Sequence, residues 1–389
     1  MLGKIKLAMI SGTFPELHCG IGDYTYRLCA ELKKHDAAVS VVTSQSPQIK
    51  SLEGVKLIQV LKNWDLLSLP TLLNFFRNNF TDIIHIQYPT QSYKDKAMIN
   101  ILPVFLKAFF PNTFLIVTIH DIKTAHIFNK IRAIPFLIFA DKIILTVAEE
   151  KDYLVKRFPF LRDKLEIISI GSNINPVELS SEERGKIREK LGVKADEILL
   201  SHFGYILPKK ELELLIYSVK HLHEKGQKIK LIFISDFCPK ANKYHRRLES
   251  MSHKFNLEKL IIWTGYCRQE EVSKYLLSSD IGIQLYPDGV SYRRTSFLTA
   301  IGHGLPVITT VNTRLPEGLI DRGNILAVVP RDAGKLADAI EELILSKALR
   351  KDLSVKAKEF SGHFSYESIA EEHFSLYQSL IKSEEPKNR

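Results

Sequence analysis

The stretch FLIVTIHDIKTAHIFNKIRAIPFLIFADKIILTVA, residues 114–148, contains two short apolar runs on either side of a longer segment. Both runs, FLIVTIH and KIILTVA, are rich in β-branched residues, and each predicts a buried strand. The longest apolar stretch here is interrupted by Asp141 and Lys142, which argues against a membrane-spanning helix. A strand, a helical segment and a second strand in this order form the unit of a parallel sheet.

The same alternation extends over the rest of the chain in two blocks. A polar stretch at about residues 172–196, containing SSEERGKIREK, separates the blocks and predicts a linker with a short charged helix. We therefore predict an α/β protein with two doubly wound parallel sheets. The first block has the runs KIKLAMIS, AVSVVTS, VKLIQVL, DIIHIQY, FLIVTIH, KIILTVA and LEIISI, and the second has ILLSHFG, KLIFIS, LIIWTG, IGIQLYP, LPVITT and ILAVV.

Composition and charge fit an ordinary globular protein. The 389 residues are 45% hydrophobic and 25% charged, and this length favours two domains. The formal charge of +10 favours anionic partners, and by itself it leaves phosphorylated ligands, acidic lipid and nucleic acid open. The four cysteines are widely spaced without a CxxC pair, which argues against a zinc site or a disulfide framework and favours a reducing cytoplasm. The apolar core of the N-terminal KIKLAMISG is too short for a signal peptide.

Ligands of open parallel sheets bind beyond the carboxyl ends of the strands, so the residues after each run are candidate site residues. Gly20 and Gly22 precede a helix expected to begin near Asp23. They either let the backbone approach an anion at that helix or merely allow the chain to turn. His120 and Asp121 follow a run apolar enough to be central. His120 could bind a sugar hydroxyl or transfer a proton, or it is a buried histidine bonded to the backbone.

The second block carries cations after its strands. Gly204 ends a strand run, and Lys210 lies at the start of an amphipathic helix, where it could reach an anion. The segment GVSYRRTSFLTAIGHGLPVITT places Arg293 and Arg294 before a small-residue helix whose first amides, from Thr295 onward, would face the same anion. A solvated basic turn is the alternative interpretation of the arginine pair.

The order of these pieces resembles the retaining group 1, or family 4, glycosyltransferases, which have the two-domain GT-B fold. The resemblance covers nearly the whole chain and rests on GIGDY, TIHD, SIGSNI, FGYILPKKELELLI, WTGY with EEVSKYLLSSDIGIQLYP, GHGLPVITT and FSYESIAEEHFSLY. It implies an acceptor-side domain over residues 1–175 and a nucleotide-sugar-binding domain over residues 176–363. The remaining residues, 364–389, would form a helix that crosses back to the first domain, followed by a charged tail.

The resemblance also implies site residues, with three departures from the family pattern, one of which is Glu211 in place of the glycine after the lysine. His120 would face the donor sugar, and Lys210 would reach the diphosphate. The family's arginine after Gly204 is replaced by tyrosine, and its two glutamates fall on Ser291 and Thr299, so that a GVSxRR loop stands in their place. The donor-binding residues implied are Gly20, Gly22, Gly204, Lys210, Thr264, Gly265, Tyr266, Ser291, Arg293, Arg294, Thr295, Ser296 and Thr299.

Three functions follow from these residues and the resemblance. The leading one is a metal-independent, retaining transfer of a sugar from a nucleotide-diphosphate donor to an alcohol acceptor, with cations and helix amides stabilising the departing diphosphate. The chain has no Asp-x-Asp motif, so we expect neither a metal nor a cofactor beyond the donor substrate. A sugar-nucleotide epimerase would need acidic groups that Ser291 and Thr299 do not supply. An inactive GT-B module that scaffolds glycan assembly is the third alternative, and the lost glutamates are its support.

Two segments bear on the acceptor. LLSLPTLLNFFRNNF and MINILPVFLKAFFPN combine aromatic and aliphatic residues with scattered cations, as interfacial helices do, although core helices have the same pattern. An interfacial helix would imply a lipid-linked acceptor and a cytoplasmic protein in peripheral contact with the inner face of the membrane. A core helix would leave a glycan or a small molecule as acceptor. No nucleic-acid partner is expected.

Overall fold

The computed structural model describes residues 4–14, 20–46 and 51–384, and the chain divides into two compact units. Unit 1 comprises the residues up to Gly171 together with those from Phe364 onward, and unit 2 runs from Ser172 to His363. The boundary between the first and second domains was predicted between residues 175 and 176. Residues 15–19, with Cys19, and the end of the charged tail from residue 385 lie outside the described residues.

The first block of predicted strands forms a seven-stranded parallel sheet in unit 1, with the order β3-β2-β1-β4-β5-β6-β7. The seven runs identified in the sequence are therefore confirmed as strands. They are β1 Ile5–Ile10, β2 Ala37–Ser44, β3 Lys56–Leu61, β4 Ile83–Tyr88, β5 Phe114–Ile119, β6 Lys142–Leu145 and β7 Leu165–Ile167. The helices of unit 1 are α1 Gly20–Leu32, α2 Leu69–Asn78, α3 Met98–Phe109, α4 Ile127–Phe139, α5 Ala148–Arg157 and, at the C-terminal end, α13 Tyr366–Glu384.

The sheet of unit 1 carries a hydrophobic core on each face. One core contains side chains of α2 to α5, and the other contains side chains of α1 and α13. Tyr366, Ile369 and Tyr377 of α13 are buried in this second core together with Leu28 of α1. Since every residue of β4 is buried, the polar side chains on that strand must find partners inside the protein.

The second block forms a six-stranded parallel sheet in unit 2, with the order β10-β9-β8-β11-β12-β13. All six predicted runs are strands. They are β8 Ile198–Phe203, β9 Ile229–Ile234, β10 Ile261–Trp263, β11 Ile281–Gln284, β12 Val307–Thr310 and β13 Leu326–Val328. The helices are α6 Ser181–Lys190, α7 Glu213–Glu224, α8 Lys243–Lys254, α9 Gln269–Ser278, α10 Thr295–Gly302, α11 Ala333–Leu345 and α12 Lys347–Ser361.

The charged helix predicted within the linker is α6, but it is anchored to unit 2. Its N-terminus is closed by a capping box between Ser180 and Glu183. Arg184 Nη2 and Arg188 Nη1 lie 2.9 and 2.8 Å from the two carboxylate oxygens of Asp280. The linker interpretation was wrong for this part of the stretch, because two arginines one turn apart share a carboxylate of the unit.

The two segments considered as interfacial helices are α2 and α3, and their apolar sides contribute to the core. Leu72 and Phe76 of α2 and Leu102 and Leu106 of α3 are buried in one cluster. The structure therefore favours the core-helix interpretation for most of both segments. Within the described ranges, every helix is too short or too polar to cross a bilayer.

Candidate functional site

The glycine segment after β1 begins helix α1 three residues earlier than the sequence suggested. Gly20 is the first residue of the helix, so Gly20 and Gly22 lie in its first turn and not in a loop before Asp23. A Cβ on Gly22 would lie 3.3 Å from backbone atoms of Thr13 and Phe14, whereas a Cβ on Gly20 would have no neighbour within 4 Å among the described residues. Close packing against the chain that follows β1 thus explains why position 22 is a glycine. At Gly20, no described residue limits the space for a side chain.

His120 follows β5 and is held by Gln87 of the neighbouring strand β4. Its Nε2 atom lies 3.0 Å from Oε1 of Gln87, and its ring meets that of Tyr24 edge-on with centroids 5.1 Å apart. Because a carboxamide oxygen can only accept, Nε2 of His120 carries the proton of the neutral ring. The lone pair of Nδ1 is then the acceptor that His120 offers to a ligand.

Gln87 connects His120 to a buried group of polar side chains. The amide nitrogen of Gln87 lies 3.4 Å from Nε2 of His85, and the same histidine nitrogen lies 2.8 Å from Oγ1 of Thr118. The register of the sheet pairs Gln87 with Thr118 across β4 and β5, which brings these groups together. Nδ1 of His85 lies 2.7 Å from the hydroxyl of Tyr377 on α13.

A second histidine of this group, His373, comes from α13. Its ring stacks on His85 with centroids 5.6 Å apart, and its Nδ1 donates to the carbonyl of Ile369 at 2.8 Å. Sequence reasoning missed Gln87, although a glutamine in a strand that is otherwise apolar was an available signal. It also missed His373 and Tyr377, because nothing in the sequence connects this distant helix with β4.

Burial keeps the three histidines neutral. It lowers the pKa of His120 to about 4, with the nearby His373 adding to the effect, and it lowers the pKa of His373 to about 4. The pKa of His85 is lowered well below the usual value of 6.5 by burial and by the other two rings. At neutral pH, His120 is therefore a hydrogen-bonding group and a weak base, and it has no proton to give as an imidazolium.

Asp121 has a local structural contact. Its Oδ1 accepts from the backbone N–H of Thr124 at 3.2 Å, and its Oδ2 accepts from the hydroxyl of Thr124 at 2.6 Å. These two bonds stabilise the turn after β5. The carboxylate is thus occupied by the turn that holds His120 at its start.

Unit 2 contains a cavity of about 360 Å³ beyond the carboxyl ends of β8 and β9. The strand-end rule predicts a ligand site in this position. The predicted donor-binding residues that line it are Gly204, Lys210, Tyr266, Thr295, Ser296 and Thr299. Ser235 and Asp236 also line it and were missed, although Ser235 ends the predicted strand KLIFIS and Asp236 directly follows it.

Lys210 and Arg294 lie over the same aromatic ring beside this cavity. Nζ of Lys210 is 5.6 Å and the guanidinium carbon of Arg294 is 4.9 Å from the centroid of Tyr286. Burial and, to a smaller extent, the charges of Arg294 and Lys209 together lower the pKa of Lys210 to about 8. Within the described part of the chain, Lys210 has no carboxylate within salt-bridge distance. A bound anion would therefore stabilise its charged form and raise its pKa again.

Arg294 is also the N-cap residue of α10. Its Nη2 lies 2.5 Å from Asp288, while its Nε is buried and has no hydrogen-bond partner among the described residues. No side chain of the described ranges caps the first turn of α10, so the N–H groups of Thr295 and Ser296 remain for a ligand. We refer to Lys210 Nζ, Arg294 Nε and these two amides as the anion cradle.

One of the two positions where the family has a glutamate carries a buried hydroxyl group. Thr299 is 1% exposed, and its Oγ1 donates to the carbonyl of Thr295 and lies 2.8 Å from Oγ of Ser172. Ser291, Arg293 and Arg294 are not among the residues that line this cavity, and Arg294 lies beside it over the Tyr286 ring. The carbonyl of Ser291 accepts from the backbone N–H of Arg294 and so shapes the loop before α10.

The turn after β10 places an aromatic ring at the cavity rim. Thr264 Oγ1 donates to the carbonyl of Gly265 at 2.8 Å, and Gly265 has a φ of 72°, which favours glycine. Tyr266 follows with 75% of its surface exposed. A flat, exposed ring beside an anion cradle is suited to stacking on a planar base.

Known proteins match this chain in sequence and in fold. Residues 183–360, which contain the anion cradle, match the model of the family described as glycosyl transferases group 1. A glycosyltransferase of Methanocaldococcus jannaschii is 23% identical over 61% of this chain and 60% of its own length. A D-inositol 3-phosphate glycosyltransferase of Mycobacteroides abscessus is 23% identical over 62% of this chain and 52% of its own length. The matched part thus spans 60% or less of these relatives.

Solved structures share the fold at low sequence identity. A glycosyltransferase from Rickettsia africae is 18% identical, with a TM-score of 0.79 over the whole of both chains. HepE of Anabaena, solved with UDP-glucose, is 15% identical over 96% of this chain and the whole of its own, with a TM-score of 0.73. The predicted fold class, GT-B with two Rossmann-like parallel-sheet domains, is confirmed.

Proposed function

We propose that this protein is a glycosyltransferase that moves a sugar from a nucleotide-diphosphate donor to an alcohol acceptor. The observation that carries the proposal is the anion cradle. Lys210 and Arg294 lie over the ring of Tyr286, next to the N-terminus of α10, which no described side chain caps. Lys210 has no carboxylate partner among the described residues, and all these groups belong to the segment that matches the family. A diphosphate supplies the charge that these groups lack.

The donor is bound by unit 2 in this proposal. Lys210 and Arg294 bind the diphosphate, and Tyr266 stacks on the base at the cavity rim. The UDP-glucose in the HepE structure supports a nucleotide-sugar of this class. The cavity volume of about 360 Å³ is at the scale of a small-molecule site.

The reaction we propose is retaining and independent of metal or other cofactor. The bond between the anomeric carbon and the diphosphate oxygen breaks, and its electron pair stays on the diphosphate. The acceptor oxygen bonds to the anomeric carbon on the same face, and its proton passes to the oxygen that has left. Because negative charge grows on the diphosphate, the anion cradle stabilises the transition state more than the ground state.

Unit 1 contributes His120 as a group that binds a sugar hydroxyl. With its Nε2 proton held by Gln87, its Nδ1 accepts a hydrogen bond from that hydroxyl. The low pKa of His120, about 4, supports a positioning role over proton donation. The acceptor is a glycan, a lipid-linked sugar or a small alcohol, and a cytoplasmic setting fits the free thiols of Cys29, Cys238 and Cys267.

A panel of UDP-, GDP- and ADP-sugars, with release of nucleoside diphosphate as the readout, tests the proposal. We expect turnover with one donor class, a loss of turnover in Lys210→Ala and little change in the matched control Lys209→Ala, whose exposed side chain lies one residue away. Turnover in the presence of a chelator should stay within about tenfold of the untreated rate. A larger loss that Mg²⁺ or Mn²⁺ restores would disprove metal independence.

The inactive scaffold remains the second candidate, and Thr299 favours it. A buried threonine occupies a position where the family has a glutamate, so a carboxylate contact to the donor is absent there. In that case every donor would fail to turn over while nucleoside diphosphate still bound and depended on Lys210. Binding of nucleoside diphosphate without turnover would thus identify the scaffold. If the protein showed neither binding nor turnover, both candidate functions would be excluded.

A further inference from the structure

Helix α4 of unit 1 exposes a stripe of large apolar side chains. Ile127, Phe128, Ile131, Ile134 and Ile138 are between 42% and 68% exposed. Their spacing of three and four residues puts them on one side of the helix. The opposite side carries the buried Ala133, Phe136 and Leu137, so α4 is apolar on both its core side and its outer side.

Such a stripe is unusual for a surface helix. Isolated exposed apolar residues are common, but a contiguous apolar patch marks a binding surface. The outer side of α4 should be polar if it faced only water.

The helix segment that carries the stripe contains cations and no acidic residue. Residues 122–140 contain Lys123, Lys130 and Arg132 and no aspartate or glutamate. Residues 156–164, KRFPFLRDK, contain four cations and one aspartate. In this second segment Phe158 and Phe160 are 36% and 66% exposed.

The second segment lies against α4. Nζ of Lys164 donates to the carbonyls of Ile138 and Ala140 at 2.9 Å each, at the C-terminal end of α4. At the other side, Lys130 of α4 lies 5.0 Å and Arg157 lies 3.9 Å from the ring of Tyr153. The stripe and the segment 156–164 therefore form one basic and apolar surface, which we call the α4 surface.

We propose that the α4 surface docks onto an anionic lipid bilayer. Apolar side chains enter the interface while lysines and arginines contact the lipid head groups, as basic amphipathic helices do. A second copy of this chain is a poorer occupant, because a symmetric contact through the same surface would bring its cations together. The inference goes beyond the proposed function and requires neither a donor nor turnover.

Co-sedimentation of the full chain with vesicles tests the docking. We expect binding to phosphatidylcholine vesicles that contain phosphatidylglycerol, weaker binding to pure phosphatidylcholine, and loss of binding as salt is raised. The double substitution Phe128→Ser with Ile131→Ser should weaken binding by about tenfold or more, since it removes two side chains that the interface would bury. Lys156→Glu with Arg162→Glu should weaken binding only to the anionic vesicles.

A matched control uses exposed apolar residues of unit 2. Leu345 and Val355 are 74% and 48% exposed, and Leu345→Ser with Val355→Ser should leave vesicle binding unchanged. All variants should keep the circular dichroism and the diphosphate affinity of the original protein. Absence of binding to anionic vesicles, or equal binding by the Phe128 and Ile131 variant, would overturn the proposal. It would also be overturned if sedimentation velocity showed self-association through this surface without vesicle binding.

Discussion

Gln87 Oε1 lies 3.0 Å from Nε2 of His120, and this contact fixes which nitrogen of the histidine carries the proton. The opposite nitrogen, Nδ1, then has one fixed hydrogen-bonding character, that of an acceptor. Gln87 itself is held because its amide nitrogen contacts Met9 Sδ at 3.2 Å and His85 Nε2 at 3.4 Å. The orientation of His120 is thus set from inside unit 1.

Replacing His120 with alanine should lower turnover by about 10²-fold, because a group that positions the sugar is lost. Gln87→Leu should lower kcat with little effect on KM for the donor, since the histidine remains but either tautomer becomes accessible. Gln87→Glu keeps an acceptor at this place, so its activity should exceed that of Gln87→Leu. Steady-state kinetics check these outcomes, and unchanged turnover in His120→Ala would give the residue a purely structural role.

Unit 1 should lose stability as the pH falls from about 6.5 toward 4. His120 and His373 have folded pKa values of about 4 against 6.5 for the free side chain, and burial also holds the pKa of His85 well below 6.5. The unfolded chain therefore binds more protons in this range, and each ring costs up to roughly 1.4 kcal/mol per pH unit. The stabilisation is complete above pH 6.5, and acid removes it.

Fluorescence can follow unit 1 alone. The chain has two tryptophans, Trp64 in unit 1 and Trp263 in unit 2, so Trp263→Phe leaves Trp64 as the reporter. Urea titrations at pH 7 and pH 5 should differ in midpoint. His373→Gln should reduce the difference, and replacing the exposed His126 with glutamine should not. A midpoint that is independent of pH would contradict the burial of neutral histidines.

Affinity for nucleoside diphosphate should fall as the pH rises above 8. Lys210 has a pKa of about 8 in the free protein, and a bound anion favours its charged form. Above pH 8 binding must take up a proton, which weakens affinity by up to about tenfold per pH unit. Titration calorimetry in buffers of different ionisation heat measures that proton. Lys210→Arg should remove the dependence, and its persistence in that variant would assign it to another group.

Arg294→Ala should weaken binding of nucleoside diphosphate by roughly tenfold to a hundredfold. The lost hydrogen bond to Nε is charge-assisted and worth about 1.5–3 kcal/mol. Binding of the nucleoside without phosphates should change little. Arg293→Ala is the matched control and should have the smaller effect, because it is the guanidinium of Arg294 that lies over the Tyr286 ring beside Lys210. Equal diphosphate affinity in Arg294→Ala and the original protein, measured by calorimetry, would remove Arg294 from the site.

Gly204→Ala should impair both stability and diphosphate binding. Gly204 has a φ of 117°, and a Cβ there would lie 3.1 Å from Nζ of Lys210 and 3.2 Å from Cβ of Ser296. The backbone strain costs about 1–3 kcal/mol, and the contact displaces Lys210. Gly226→Ala is a control, since Gly226 has a φ of 81° and no neighbour within 4 Å of its Cβ. Gly226→Ala should lose stability in the same way but keep its affinity for nucleoside diphosphate. A loss of diphosphate affinity in both variants would show that the contact of the new Cβ with Lys210 is not the cause.

The sequence predicted the strands well and the site in part. Strands buried on both faces are nearly continuous apolar runs, which is why all thirteen runs could be recognised. Lys210 was found because it follows a strand. Its position over the Tyr286 ring, which it shares with Arg294, depends on tertiary structure, because Lys210 and Arg294 are 84 positions apart in the sequence. His85 and Tyr377 are separated by 292 positions, and no local pattern indicates such a pair. The start of α1 was wrong by three residues, because glycine is a weak marker of a helix terminus.

The place of α13 in unit 1 has a consequence for synthesis on the ribosome. Unit 2 is encoded between the two parts of unit 1, so its whole sequence is translated before α13. Until then His85 lacks the Tyr377 hydroxyl, and the core beside α1 lacks Tyr366 and Ile369. The apolar face beside α1 is therefore uncovered during synthesis, and accessible to chaperones and proteases, until α13 has been translated.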